Sequence, residues 1–127
     1  MTWMSQTRED KVAQFNRSGE NKTFAEGGSV NTQMNTFIEE VGELIDAIQI
    51  HLVEQDGRSR ADLCKEWADV QYCLSNLAWF FDIPADPSFN RVHTSNMTKV
   101  VEGKVRYRAD GKILKPDTYV PADMAGL

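Results

Sequence analysis

Two acidic runs set in helical phase constrain this chain more than anything else in it. The first is Thr36-Phe37-Ile38-Glu39-Glu40-Val41-Gly42-Glu43-Leu44-Ile45-Asp46, and the second is Lys65-Glu66-Trp67-Ala68-Asp69-Val70. Between Glu43 and Glu66 lie 22 residues, enough to finish one helix, turn and begin another. In the first run Phe37, Val41, Leu44, Ile48 and Leu52 recur with helical spacing, and Ile38 and Ile45 widen the stripe. Glu39, Glu40, Glu43 and Asp46 gather on the opposite side. In the second, Leu63, Trp67, Val70, Leu74, Leu77 and Phe81 form the stripe, with Asp62, Glu66 and Asp69 at its edge. Two amphipathic helices, packed together and each carrying carboxylates, are the expected centre of the fold.

Glu40 with Glu43, and Glu66 with Asp69, are i, i+3 pairs, so each pair shares a helix face. Like charges at that spacing cost a helix a few tenths of a kcal/mol, roughly, and bringing two such helices together adds to the cost. A divalent cation removes it. Hard oxygen ligands suit Mg²⁺, or Mn²⁺ in its place, and such ions keep open positions for water and substrate phosphates. The competing reading is two solvated acidic faces. The combination of a glutamate pair, E-x-x-E and E-x-x-D in one phase favours the metal.

The rest of the chain is consistent with that centre. Its 127 residues make one expected domain, 1–127, long enough to bury roughly two-thirds of the unfolded surface. No apolar run approaches the ~20 residues of a membrane helix, and Met1–Gln6 has no signal-peptide pattern, so the expected location is cytoplasmic. Cys64 and Cys73 are nine apart on one expected helix and read as reduced thiols. Residues 99–115 carry six lysines and arginines against two acids, a net of +4, which leaves −9 for the remainder of a chain whose total is −5. An acidic body with a short basic tail suits a metal site beside a phosphate grip, and argues against a nucleic-acid polymer as partner.

In chain order, residues 7–17 read as a first helix, with Thr7 and Asp10 spaced as a capping box. Residues 18–29 are a polar, Gly-rich loop that reads first as an ordinary surface connection, with a loop that could move over a site as the alternative. The second helix is expected from about Asn31 to Gln55, with Ser29 or Asn31 as its cap. The third is expected from Ser59, capped with Asp62, to about Asp82, where Pro84 stops it. Asp86-Pro87 marks the start of a fourth helix that runs to about Val100. Beyond it Lys104, Arg106 and Arg108 alternate with Val105, Tyr107 and Ala109, and Asp110-Gly111 is a turn signal, so the tail is a small hairpin or an extended strand. The fold class is therefore all-α, a bundle of four to five helices with a short tail. One helix pair leaves wide apolar stripes, so a homo-oligomer, dimer or tetramer, is expected to complete it.

The pattern Glu39-Glu40-x-x-Glu43, 22 residues, Glu66-x-x-Asp69 resembles the all-α nucleoside triphosphate pyrophosphohydrolases of the MazG-like superfamily. Val92-His93-x-Ser95-Asn96-Met97-x-Lys99, followed by Asp110-Gly111-Lys112-x-Leu114-Lys115-Pro116, is similar to its phosphoribosyl-ATP pyrophosphohydrolase-like branch. The resemblance runs from about residue 10 to about 122. It implies that Glu40, Glu43, Glu66 and Asp69 are Mg²⁺ ligands, and that Glu39 and Glu40 are catalytic, Glu39 serving a second metal or the activation of water. It further implies that Asn96, Lys99, Lys104, Lys112 and Lys115 contact phosphate and sugar. The implied reaction is attack of water on the α-phosphorus of a nucleoside triphosphate, with release of pyrophosphate. Phosphoribosyl-ATP or a nucleoside diphosphate is the alternative substrate, and a non-catalytic helical oligomerisation module is the alternative class.

Other candidates read more plainly. His51 and His93 lack the Glu-x-x-His spacing of carboxylate di-iron bundles, since Ile48 and Asn90 stand three residues before them. Trp3, Trp67 and Trp79 are possible base-stacking rings, but Trp67 lies on the apolar stripe and is expected in the core. Phe15 and Asn16 are candidate neighbours of a base pocket. Glu39-Glu40-Val41-Gly42 echoes a Nudix box, but Asn35-Thr36, Asn21 and Glu43 break that pattern, and no P-loop run is present.

Overall fold

The computed structural model describes residues 6–127, so Trp3 lies outside the described residues. Four helices follow one another: α1 (Arg8–Ser18), α2 (Val30–Glu54), α3 (Gly57–Phe81) and α4 (Ala85–Met97). Among the described residues there is no strand, only two isolated antiparallel bridges, Val101 with Lys104 and Tyr107 with Ile113. The all-α class follows from the sequence periodicity and holds. No described helix is long and apolar enough to cross a membrane. The chain divides into two compact units, Met1–Ile83 and Pro84–Leu127.

In the first unit the helix starts are set by side chains. Thr7 and Asp10 form the expected capping box at α1, each bonding the other's backbone N–H at 3.0 Å. Ser29 caps α2, accepting from Thr32 N at 3.2 Å. α3 begins two residues before the expected start. Its cap is Asp56, which accepts from Ser59 N at 2.7 Å, and Ser59 completes the box by accepting from Asp56 N. Ser59 is buried and 2.7 Å from His51 Nδ1, so the histidine ties the end of α2 to the start of α3. At the other end of the pair, Asn76 of α3 donates to Gln33 of α2, which makes the two helices antiparallel. α1 lies on α3 through Ser75 Oγ donating to Glu9 at 2.7 Å and through the Phe15 and Tyr72 rings, edge to face at 6.0 Å.

Among the described residues the buried apolar side chains are few: Val12, Ala47, Ala78 and Phe80. Much of the two stripes remains open. Ile38 is 64% exposed and Leu52 66%, and Trp67, expected in the core, is 55% exposed in the single chain. One partner helix covers only part of a stripe that wide.

The loop between α1 and α2 is pinned rather than free. Phe24 N donates to Phe80 O at 2.9 Å, and the Phe24 ring packs against Phe80 and Phe81. Gly28 fits under this contact: a Cβ there would stand 2.6 Å from Phe80 Cε1 and 2.9 Å from Thr23 O, with Lys22 O closer still. Two of these three neighbours are backbone and cannot turn aside. Gly28→Ala should therefore cost about 3 kcal/mol or more, as overpacking against fixed atoms does, and lower the melting temperature by several degrees. Circular dichroism melts check this; an unchanged melting temperature would mean that the loop lifts off α3 freely.

In the second unit Pro84 precedes α4, and Pro87 sits in its first turn, where a missing N–H breaks no helical bond. The helix ends at Met97, earlier than expected. The N–H groups of Thr98, Lys99 and Val100 turn to carbonyls three residues back, at 3.0, 3.0 and 3.2 Å. The tail doubles back as an irregular hairpin: Arg108 N donates to Lys112 O at 2.7 Å and Leu114 N to Arg106 O at 2.8 Å. Asp110 closes its turn, accepting from Lys112 N at 3.1 Å and pairing with Arg108.

Candidate metal and nucleotide site

Antiparallel packing of α2 and α3 brings their acidic faces together near mid-length. Glu40, Glu43 and Glu66 each place one carboxylate oxygen so that all three lie within 4.8 Å of one another. Glu40 and Glu66 are half-buried, and one oxygen of each, Oε2, is shut off from solvent with no hydrogen-bond partner. A buried acceptor without a donor is costly and calls for an unseen partner. The Glu40 carboxyl is accordingly held above the ordinary glutamate range. Loss of surrounding water contributes most, followed by a hydrogen bond to Glu43 and the charges of Glu43, Asp69 and Glu66. Burial, with the charges of Glu40 and Asp69, likewise pushes the Cys73 thiol up. Both cysteines are free, as expected.

The donor set fits a hard divalent ion. Oxygens on opposite sides of a Mg²⁺ are about 4 Å apart, so three oxygens within this spread need only small rotations to close on one. Asp69 is not in that trio. Its Oδ2 is 2.7 Å from Lys65 Nζ, which also reaches Glu66 at 3.4 Å, and these carboxylates hold the ammonium well above the usual lysine range. Lys65 is a cation standing at the edge of the acidic cluster.

That position has a measurable consequence. Lys65→Gln removes a positive charge close to Glu66 and Asp69 and should tighten Mg²⁺ binding by about threefold, a modest gain because the ammonium is well solvated. Isothermal titration of the metal-free protein reads it directly. Weaker binding in the variant would instead make the lysine an organiser of the ligands.

Glu39 is exposed beside the cluster. The remaining sequence candidates belong to the second unit. Asn96 Oδ1 accepts from Lys99 Nζ at 3.0 Å, and Lys99 and Lys115 both reach the ring of Tyr119. Lys104 sits in the backbone turn with Val101, and Lys112 in the hairpin turn with Arg108 and Asp110. His93 is exposed.

Sequence reasoning gave little weight to the polar groups that line the α1, α2 and α3 seam. Asn16, only 3% exposed, accepts from Asn21 at 2.9 Å and donates to Asn76 at 2.7 Å, and Asn76 donates in turn to Gln33. The available signal was Ser75-Asn76, two polar residues set between Leu74 and Leu77 where the stripe would otherwise be continuous. Tyr119 was missed altogether, because the irregular tail has no period to interpret.

No curated sequence matches the chain. The family model for phosphoribosyl-ATP pyrophosphohydrolase matches residues 5–96. That span takes in α1 to α3 and nearly all of α4, and with them both acidic runs. A match over most of the chain, on the helices that bring Glu40, Glu43 and Glu66 together, shows that it belongs to the phosphoribosyl-ATP pyrophosphohydrolase family, whose members are hydrolases of phosphoric anhydride bonds.

Proposed function

We propose that the chain is a Mg²⁺-dependent nucleoside triphosphate pyrophosphohydrolase that yields a nucleoside monophosphate and pyrophosphate. The observation that carries this reading is the meeting of Glu40, Glu43 and Glu66, of which Glu40 and Glu66 each keep one buried, unpartnered carboxylate oxygen. Glu40, Glu43, Glu66 and Asp69 would hold the ion, Mg²⁺ or Mn²⁺. When bound, it neutralises phosphate charge and acidifies water. Glu39, exposed next to Glu40, takes the proton of the attacking water on its carboxylate. The water oxygen bonds to the α-phosphorus, the bond from that phosphorus to the oxygen bridging to the β-phosphorus breaks, and pyrophosphate leaves with the bridging oxygen. Asn96, Lys99, Lys104, Lys112 and Lys115 are the proposed contacts to phosphate and sugar, where positioning and charge do most of the catalytic work.

Phosphoribosyl-ATP is the second reading, favoured by the description of the matching family. The bond broken is of the same kind. Pyrophosphate release from a panel of ribo- and deoxyribonucleoside triphosphates, with phosphoribosyl-ATP and nucleoside diphosphates alongside, separates the readings. Release from triphosphates that EDTA stops supports the first. Release from phosphoribosyl-ATP alone supports the second, and release from nothing by folded, Mg²⁺-loaded protein leaves a helical oligomerisation module.

The same reading has residues 1–127 act as one domain in the cytoplasm, without nucleic acid or membrane. It also has the chain act as a homodimer or homotetramer, since the open apolar faces around Ile38, Leu52 and Trp67 are what a second copy would cover. Light scattering on the eluting protein gives the copy number, and a monomer at micromolar concentration removes that part.

A further inference from the structure

Lys99 Nζ lies 5.4 Å and Lys115 Nζ 5.1 Å from the centre of the Tyr119 ring. The two lysines come from separate stretches of the second unit, one just past α4 and one just past the hairpin. The ring they share is half-buried, and the backbone around it is fixed. Tyr119 N donates to Pro116 O at 3.0 Å, Thr118 Oγ1 to Thr98 O at 3.0 Å, and Val120 N to Thr98 Oγ1 at 2.8 Å. Asn96 Oδ1 accepts from Lys99 Nζ at 3.0 Å.

What this cluster lacks is a negative charge. The ion pairs among the described residues involve Lys65 and Arg108, and neither Lys99 nor Lys115 has a carboxylate within salt-bridge reach. Two ammonium groups brought to one ring repel each other. The negative face of the ring offsets part of that for each, and an anion accepting from both would offset the rest.

We propose that Tyr119 is a positioning residue that gathers Lys99 and Lys115 into one seat for substrate phosphate oxygens, with Asn96 holding Lys99 in place. That the phosphates are those of a nucleotide rests on the function proposed above; the seat itself rests on the ring and the two lysines. The ring face does the gathering, not the phenol hydroxyl. The seat divides the basic tail: Lys99 and Lys115 share the Tyr119 ring, whereas Lys104 and Lys112 sit in turns of their own.

The test uses the full chain, freed of metal and labelled with ¹³C on its three tyrosines, titrated with inorganic pyrophosphate at low salt. The Tyr119 ring signals should move while those of Tyr72 and Tyr107 stay. Tyr119→Phe keeps the ring and should hold affinity within about twofold, whereas Tyr119→Leu loses it and should weaken binding about tenfold. Arg106→Ala removes one charge from the same tail and should cost far less than Tyr119→Leu. In turnover, Tyr119→Leu should raise KM and leave kcat unchanged, as lost uniform binding does. If leucine unsettles the tail, visible as displaced Tyr107 signals, Tyr119→Trp decides: an intact ring face without the hydroxyl should keep affinity. Stationary Tyr119 signals, wild-type affinity in Tyr119→Leu, or equal losses in the Phe and Leu variants overturn the proposal. The outcomes also separate the seat from the hydrolase. Pyrophosphate seated on Tyr119 in a protein that cleaves no nucleotide removes the hydrolase and keeps the seat. Nucleotide cleavage with KM unmoved by Tyr119→Leu removes the seat and keeps the hydrolase.

Discussion

Glu40→Gln should lower nucleotide hydrolysis by orders of magnitude and, in the same preparation without metal, raise the melting temperature. The two effects share one cause. Glu40 has one oxygen buried without a donor, and loss of water together with the charges of Glu43, Asp69 and Glu66 disfavours its ionised form. Glutamine keeps the shape and deletes the charge. It relieves the repulsion that the metal-free fold carries and withdraws a ligand that the proposed ion needs. Activity should fall by about 10²–10³-fold, the range in which a single electrostatic contact to the reacting group acts. A residue needed only for folding gives the opposite second result, a lower melting temperature, so the pair of measurements separates a functional carboxylate from a structural one. Full activity in Glu40→Gln would remove the acidic cluster from the chemistry.

Adding Mg²⁺ at a hundred times its dissociation constant should stabilise the wild-type protein by about 2.7 kcal/mol, several degrees in the melt, and EDTA should reverse it. The metal-free reference has a pH dependence of known sign. The folded-state pKa of Glu40 is raised, so the native state binds its proton more tightly than the unfolded chain does. The stabilisation this gives is fully present below the ordinary glutamate value of 4.5 and is lost as pH rises through the folded value. Asp56 and Asp110 run the other way. Backbone and side-chain bonds from Ser59 hold Asp56 below the ordinary range, and the Arg108 guanidinium does the same for Asp110. Their contributions fade as pH falls. Comparing wild type with Glu40→Gln cancels those terms. The melting-temperature gap between the two metal-free proteins should vanish near pH 4.5 and open towards pH 7, and saturating Mg²⁺ should reduce or reverse it. A gap that stays constant with pH would assign the effect to packing.

The helices were legible because their causes are local. Thr7 with Asp10, Ser29, and the turn at Asp56-Gly57 announce ends that the structure keeps within a residue or two. Where the ends moved, two residues of capping type competed. Asp56 and Ser59 can both cap α3, and His51, a partner from another helix, places Ser59 inside the helix. The convergence of Glu40, Glu43 and Glu66 was also legible, since helical phase alone puts them on facing sides. The turn of Asp69 towards Lys65 was not, because an i, i+4 partner competes with the far side of the cluster at a distance that periodicity does not rank. Least legible was the degree of burial. Trp67 and Leu52 lie on the apolar stripes yet stay exposed in the single chain, whereas Phe80, one residue off the α3 stripe, is buried, because the loop carrying Phe24 and Gly28 packs on that side of the helix.

The part-buried row of carboxamides has a direction. Asn21 donates to Asn16, Asn16 to Asn76 and Asn76 to Gln33, so every side-chain NH₂ points the same way and every carbonyl answers from the same side. Such a row has one good orientation, and no member can flip alone without setting two acceptors or two donors face to face. It is therefore sensitive to substitution at any one member. Asn16→Asp, which exchanges one NH₂ for an oxygen, would put a carboxylate oxygen where Asn76 Oδ1 expects a hydrogen. The loop, α1, α3 and α2 would lose their shared register at a single atom, with every apolar contact still in place.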